Sequence, residues 1–193
     1  DIHAGGEDLI FPHHENEIAQ SEAANGKEFA KYWMHNGFLN IDNRKMSKSL
    51  GNFFTVREIS EKYDLQVLRF FMLSAHYRSP LNFSAELMEA AKSGLDRIVT
   101  AAANLKFLVG NAKIESLTEE EKEKAAKAEK FAEDFERAMD DDFNTADAIA
   151  AVFELVKYIN TTADGESSKE YLRTLFGKLQ KLTDVLGIIV DKE

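Results

Sequence analysis

The second half of the sequence carries a repeated helical pattern, and this pattern limits the folds that the chain can adopt. From residue 84 onward, apolar residues recur at helical spacing, and each period opens on a residue that can cap a helix. Thr118 and Glu121 have the form of a capping box, in which each side chain bonds the backbone amide of the other residue. The predicted helices span residues 84–109, 118–139, 144–162 and 167–186. Because short polar connections join them, they should form an antiparallel bundle of about four helices.

The bundle should be held together by apolar side chains at helical spacing, to which we assign no chemistry. These predicted core residues are Phe131, Phe135, Ile149, Val152, Phe153, Val156, Leu172, Leu175, Phe176, Leu179 and Leu182.

The first half is organised differently, with glycine-bearing turns between short elements. A helix should follow Pro12 and stop at Asn25-Gly26, and two more should span residues 55–63 and 65–75. Asn36-Gly37 lies between two apolar runs, which predicts either a hairpin or a buried strand followed by a loop. We therefore predict a mainly α protein with a small α/β part, divided into residues 1–83 and 84–193.

A segment at residues 44–52 places Lys45 and Lys48 three positions apart among small polar residues. Its pattern is not regular enough for a helix or a strand, so we predict a mobile loop. Two ammonium groups with hydroxyls between them can surround a polyphosphate and neutralise its charge. A solvated basic turn is the alternative interpretation of this segment alone.

Composition limits the partners. The formal net charge is -10, which argues against indiscriminate nucleic-acid binding and against a DNA partner, because neutralising phosphate drives such binding. No apolar run reaches membrane-spanning length, so we expect a cytoplasmic protein with no membrane partner. The chain has no cysteine, which excludes disulfides and thiolate ligands within it.

Lys45-Met46-Ser47-Lys48-Ser49 resembles the KMSKS signature of class I aminoacyl-tRNA synthetases, and its surroundings resemble the cysteinyl-tRNA synthetases. The stretches that carry the resemblance are DIHAGGEDL (1–9), FPHHENE (11–17), YWMHNG (32–37), NFFTVR (52–57) and, more weakly, DDDFNT (140–145). The resemblance implies the C-terminal part of a Rossmann-type catalytic domain followed by an anticodon-binding helical bundle. The HIGH-type signature of the family is missing, so we expect a fragment.

The resemblance also implies the reaction: ATP-dependent activation of cysteine to cysteinyl-adenylate, then transfer to tRNA(Cys). Lys45 and Lys48 would be catalytic and, together with Met46, Ser47 and Ser49, would hold ATP, which binds with Mg2+. Gly5, Gly6 and Asp8 would lie against the adenosine, and His3 would line the amino-acid pocket.

A metal site is the third implication of the resemblance. His13 and Glu17 stand at i and i+4, so their side chains project from one face of a helix, and imidazole and carboxylate are both competent zinc ligands. Without the resemblance, this spacing favours an ordinary surface pair. In the family the corresponding residues complete a Zn2+ site with cysteines that lie upstream, so the site would be incomplete in this chain.

Two other functions are compatible with the sequence. One is a ligase that joins activated cysteine to a small-molecule amine, and the other is a non-catalytic RNA-binding module. The helical bundle favours a tRNA acceptor, but only through the resemblance.

Overall fold

The computed structural model describes residues 1–41, 44–46 and 54–190, and the chain divides into two compact units. The first unit comprises residues 1–55 and 77–84, and the second comprises residues 56–76 and 85–193. The predicted mainly helical fold with a small α/β part is confirmed. Residues 56–76, which the sequence prediction placed before the boundary at 83, pack with the later helices instead.

The first unit is built on a parallel strand pair. Strand β1 (Ile2–Gly6) pairs with β2 (Tyr32–Asn36), and helix α1 (Glu15–Asn25) lies between them in sequence. Gly26 ends α1 with a φ of 62°, a conformation that glycine adopts without steric cost. The helix predicted after Pro12 therefore begins slightly later than expected and stops where expected.

The predicted Asn36-Gly37 hairpin is not formed. The alternative, a buried strand followed by a loop, is correct in the strand, but no residue of β2 is fully buried. Strand β3 (Leu39–Ile41) does not pair with β2; it pairs with β4 (Arg44–Lys45) in antiparallel orientation and with β5 (Leu81–Phe83) in parallel. Gly37 serves close packing, because a Cβ there would lie 2.6 Å from the carbonyl carbon of Ser79. Its amide donates to the carbonyl oxygen of Tyr77.

The predicted loop at residues 44–52 begins as a strand. Arg44 and Lys45 form β4 opposite Ile41 and Asn40, because the β3 edge offers them backbone partners. Ser47, Lys48 and Ser49 lie outside the described residues.

The second unit consists of helices. They are α2 (Val56–Ser60), α3 (Leu65–Leu73), α4 (Ala85–Asn111), α5 (Glu119–Lys127), α6 (Glu129–Asp140), α7 (Thr145–Thr162) and α8 (Lys169–Val185). The single helix predicted over residues 118–139 is two helices that meet at Ala128, which is fully buried. None of the helices in the described part of the chain is long and apolar enough to cross a membrane.

Most of the predicted bundle core is buried. The exceptions are Phe131, Phe153 and Phe176, which are half-buried. Phe153 meets Phe70 edge-on, with ring centroids 6.2 Å apart, and Arg97 lies over its ring. These rings therefore line the border of the core, where each keeps one side for a polar or aromatic neighbour.

A buried carboxylate ties two helix starts together. Glu121 is 7% exposed; it accepts hydrogen bonds from the amide of Thr118 at 2.9 Å and from the amide of Ser168 at 2.7 Å. Thr118 caps α5 and Ser168 caps α8, so one side chain accepts a hydrogen bond from the N-cap amide of both helices. Burial alone would raise the pKa of Glu121, but the hydrogen bonds from Thr118 and Ser168 outweigh it and lower the pKa.

Replacing Glu121 with alanine should lower the free energy of unfolding by about 1–3 kcal/mol, because two amides lose a charged acceptor. Since the folded-state pKa lies below its usual 4.5, this contribution should be present above about pH 4.5 and disappear as the pH falls through the folded-state value. Urea unfolding of both proteins at several pH values measures the difference.

Glu120→Ala is the matched control, since Glu120 is 75% exposed and forms an ion pair with Lys124 on the same helix. Its effect should stay below about 0.5 kcal/mol. Equal losses in the two variants would contradict the linking role of Glu121.

Candidate functional site

The parallel strand pair collects aromatic and imidazole rings on one face. In the register of β1 and β2, His3 lies opposite Trp33 and Gly5 opposite His35. Because alternate residues of a strand point to the same side, these four residues share a face. The ring centroids of His3 and Trp33 are 4.9 Å apart, and Trp33 and His35 are stacked at 6.0 Å.

A third imidazole enters from the π-helical segment Ile10–His14, which directly precedes α1. His14, only 5% exposed, has its Nδ1 at 2.8 Å from Nε2 of His35. Gly5 makes room for it, because a Cβ at that position would lie 3.1 Å from the His14 ring and 2.9 Å from Leu9. The ring can therefore pack directly against the β1 backbone.

The electrostatics at His35 favour an uncharged ring. The pKa of His35 is lowered, first by burial and then by the positive charge that His14, Arg78 and His3 would carry. A neutral imidazole has one donor and one acceptor nitrogen, which is what the His14–His35 hydrogen bond requires.

A carboxylate completes a possible ligand group. Oε2 of Glu17 lies 2.7 Å from Nε2 of His3. One nitrogen each from His3 and His14 and one oxygen from Glu17 lie within 4.8 Å of one another. Two imidazoles and a carboxylate are a donor set that zinc accepts.

The structure brings together only some of the residues predicted to bind the metal and the amino acid. His3 and Glu17 are brought together, whereas His13 is exposed and is not part of the three-residue group. Sequence reasoning did not identify His14, Trp33 and His35 as parts of the site. Alternation along β2 was a signal that Trp33 and His35 share a face, but their partner strand was not predictable from local pattern.

A second constellation lies at the end of β1. Nζ of Lys45 is 2.9 Å from Oδ2 of Asp8 and 3.7 Å from the centroid of the Phe38 ring. Gly6 permits this arrangement, because a Cβ there would lie 2.6 Å from Oδ1 of Asp8. The amide of Met46 donates to the carbonyl oxygen of Leu39, which holds the residue after β4 against β3.

The structure therefore brings together three of the residues predicted to bind the nucleotide: Gly6, Asp8 and Lys45. The hydrogen bond and the charge of Lys45 lower the pKa of the Asp8 carboxyl, against the smaller opposing effect of its partial desolvation. Asp8 is thus a carboxylate at neutral pH.

Comparison with known families identifies both halves of the chain. Residues 1–93 match the catalytic domain of class I (C) tRNA synthetases, and residues 134–190 match the DALR domain. The chain has the fold and the sequence of a class I aminoacyl-tRNA synthetase. Within that class, it belongs to the cysteinyl-tRNA synthetase family.

Relatives named cysteine–tRNA ligase align over the whole chain. Those from Lachnospira eligens and Clostridioides difficile are 67% and 55% identical, and the chain spans 41% and 42% of their lengths.

Solved structures show the same fold at low sequence identity. A LeuRS from Agrobacterium radiobacter, in a ternary complex with tRNA and LeuAMS, superposes with a TM-score of 0.75 at 20% identity, covering 94% of this chain and 25% of that one. The methionyl-tRNA synthetase of Mycobacterium tuberculosis, in complex with methionyl-adenylate, gives a TM-score of 0.64 at 17% identity, covering 97% of this chain and 40% of that one.

The Asp8–Lys45 contact should be visible in a carboxyl titration by NMR. Asp8 should titrate below its usual pKa of 3.8, and Lys45→Met should return it toward that value because the hydrogen bond and the charge are lost. Lys31→Met, which removes the partner of Asp1, should leave Asp8 unchanged. An Asp8 titration that ignores Lys45→Met would contradict the contact.

Proposed function

We propose that this chain supplies part of the active site of a cysteine–tRNA ligase, which activates cysteine with ATP and transfers it to tRNA(Cys). One observation carries the proposal: a single strand, β1, presents both constellations. His3 on β1 lies in the ring cluster, and Asp8, two residues after its end, contacts Lys45. In open parallel sheets, ligands bind beyond the carboxyl ends of the strands, so an amino acid and a nucleotide bound here would be neighbours.

The reaction requires no covalent nucleophile from the protein. In the first step, the carboxylate of cysteine attacks the α-phosphate of ATP, and pyrophosphate departs. In the second step, a hydroxyl of the terminal tRNA ribose takes the acyl group. Positioning the two reactants and stabilising the charge that develops on the pyrophosphate supply most of such an acceleration.

The nucleotide roles follow from the chemistry of each group. Asp8, an ionised carboxylate, accepts hydrogen bonds from ribose hydroxyls, and Gly5 and Gly6 let the backbone approach the adenosine. The ammonium groups of Lys45 and Lys48 bind the phosphates, with Met46, Ser47 and Ser49 between and beside them in sequence. Mg2+ accompanies ATP and is held chiefly by phosphate oxygens.

The amino-acid pocket is assigned to the ring cluster. His3 and Trp33 form one wall, and Phe29 adds an aromatic side chain with its ring centroid 5.0 Å from that of His3. The walls of the pocket are rigid rings, and two of them, Trp33 and Phe29, are uncharged. A small side chain such as that of cysteine fits such a setting better than a charged one.

The fit to zinc rests on Glu17. It belongs both to the pair predicted from the sequence, His13–Glu17, and to the group that the structure brings together, His3–His14–Glu17. A zinc ion held by these residues would offer a coordination position that prefers a substrate thiolate to a hydroxyl or a methyl group. Cysteine would thereby be selected over serine and alanine without an editing step.

The second unit indicates which molecule accepts the cysteinyl group. Its match to the DALR domain and the bundle packing of α4–α8 support a tRNA-binding role rather than a small-amine acceptor. The net charge of -10 means that tRNA would be bound at selected patches rather than by overall charge.

In the full-length protein, Glu17→Ala should lower zinc affinity at least about tenfold, since even changes in the outer shell of a metal site cause losses of that size. Competition with a chromophoric chelator measures it. Glu15→Ala, an exposed neighbour on the same helix, is the control. His13→Ala and His14→Ala form a matched pair: the larger loss identifies the imidazole that serves as ligand. Unchanged affinity in Glu17→Ala would remove Glu17 from the site.

The ligase function is tested by the adenylate step. Single-turnover formation of cysteinyl-adenylate should occur in the full-length protein, and Lys48→Ala should slow it at least about tenfold, equivalent to about 1.4 kcal/mol of transition-state stabilisation. Lys62→Ala, a lysine beyond the signature, should keep the wild-type rate. A wild-type rate in Lys48→Ala would exclude Lys48 from the mechanism, and absence of adenylate in the zinc-loaded wild type would refute the proposed function.

A further inference from the structure

The Asp8–Lys45 ion pair joins two groups that the proposed reaction assigns to different parts of the nucleotide. Asp8 is the candidate ligand of the ribose, and Lys45 is a candidate ligand of the phosphates. Their side chains are 49% and 48% exposed, with 2.9 Å between Oδ2 and Nζ. A ligand can therefore reach both groups, but it meets each of them already bound to the other.

The geometry holds this pair in place from two sides. The Phe38 ring lies under the ammonium group of Lys45, 3.7 Å from centroid to Nζ, and a cation over an aromatic face is attracted to it. Gly6 leaves room for the carboxylate beside the end of β1, because a Cβ at that position would lie 2.6 Å from Oδ1 of Asp8. The contact is thus a defined feature of the first unit, in which both partners have a second neighbour.

A ligand that engages only one member of the pair gains less than its own contact is worth. Adenosine can donate ribose hydroxyls to Asp8, but it offers nothing negative to Lys45. Free polyphosphate attracts Lys45, but it offers no donor to Asp8. A nucleoside triphosphate replaces both halves of the broken ion pair.

We propose that the Asp8–Lys45 pair is a specificity element that selects an intact nucleoside triphosphate over adenosine or free polyphosphate. This inference rests on the proposed function and adds to it the way in which the nucleotide is recognised. Asp8 and Lys45 then compete with the two halves of the ligand, and only a ligand carrying both halves satisfies both groups.

The competition predicts a crossed pattern of affinities in the full-length protein, with adenosine and inorganic tripolyphosphate as separate probes. Asp8→Asn should strengthen tripolyphosphate binding about twofold to fivefold, because Lys45 no longer has to leave an exposed ion pair, whose stabilising free energy corresponds to factors of that size. The same substitution should weaken adenosine binding. Lys45→Met should do the reverse: adenosine binding strengthens by a similar factor, and tripolyphosphate binding weakens. Isothermal titration calorimetry measures both probes on the same proteins.

Asp1→Asn is the matched control for net charge. Asp1 forms an ion pair of similar length, 3.1 Å, with Lys31 in the same unit, so its removal changes the total charge equally without touching the site. Tripolyphosphate binding that strengthens no more in Asp8→Asn than in Asp1→Asn would overturn the inference. So would adenosine binding that is unchanged in Lys45→Met, or a folded protein that binds neither probe in any variant.

The result of this binding experiment can be distinguished from the result of the adenylate experiment that tests the proposed function. Adenylate formation is a property of the whole catalytic cycle, and it can persist in a protein that lacks the crossed pattern. The crossed pattern, in turn, depends only on two binding equilibria and can be present in a protein that forms no adenylate.

Discussion

The parallel pairing of β1 with β2 is the interaction on which the candidate site depends. Each residue of the pair has a fixed opposite number, so His3 meets Trp33 and Gly5 meets His35. A shift of the register by one residue would turn each of these side chains to the other face. The glycines at the end of β1 then decide what fits beside it: Gly5 admits the His14 ring, and Gly6 admits the Asp8 carboxylate. Strand register and two missing Cβ atoms together create both constellations.

The first unit contains two neighbouring groups of side chains that differ in charge. In the ring cluster, burial and the neighbouring positive charges lower the pKa of His35 and so disfavour its charged form. The neighbouring Asp8–Lys45 pair is charged and half-exposed. An aromatic, mostly uncharged pocket suits a small side chain that is recognised by packing contacts and by a metal. A pair of opposite charges suits a ligand that carries both hydroxyls and phosphates.

The helical half of the fold could be predicted from the sequence because its signals are local. Caps such as Thr118, Asn144 and Ser168 form within a few residues of the helix that they start, and apolar spacing marks the buried face. The break at Ala128 was missed because nothing in its sequence differs from a helix interior. Of the contacts that Glu121 makes, the capping box with Thr118 could be predicted because it is local. Its hydrogen bond with the Ser168 amide could not, because 47 residues separate the two.

The candidate site was less predictable, since its parts come from distant stretches. The residues predicted to bind the nucleotide, Gly5, Gly6, Asp8 and Lys45, were chosen through the family resemblance, and the structure places Asp8 and Lys45 in contact although 37 residues separate them. The buried position of His14 was missed because i, i+4 spacing selects His13 as the partner of Glu17, whereas the segment before α1 carries His14 inward. Strand pairing over long separations is what the local pattern could not supply, and it is also why a hairpin at Asn36-Gly37 was a plausible but wrong alternative.

In the proposed function, this site activates cysteine and distinguishes it from similar amino acids. Amino-acid-dependent exchange of pyrophosphate into ATP tests it most directly, with the full-length protein, zinc-loaded, and with cysteine, serine and methionine tested separately. Exchange with cysteine alone is the predicted result, because the adenylate step and the thiol selectivity would then operate together. Absence of exchange with all three in a folded protein, or equal exchange with serine, would contradict the account.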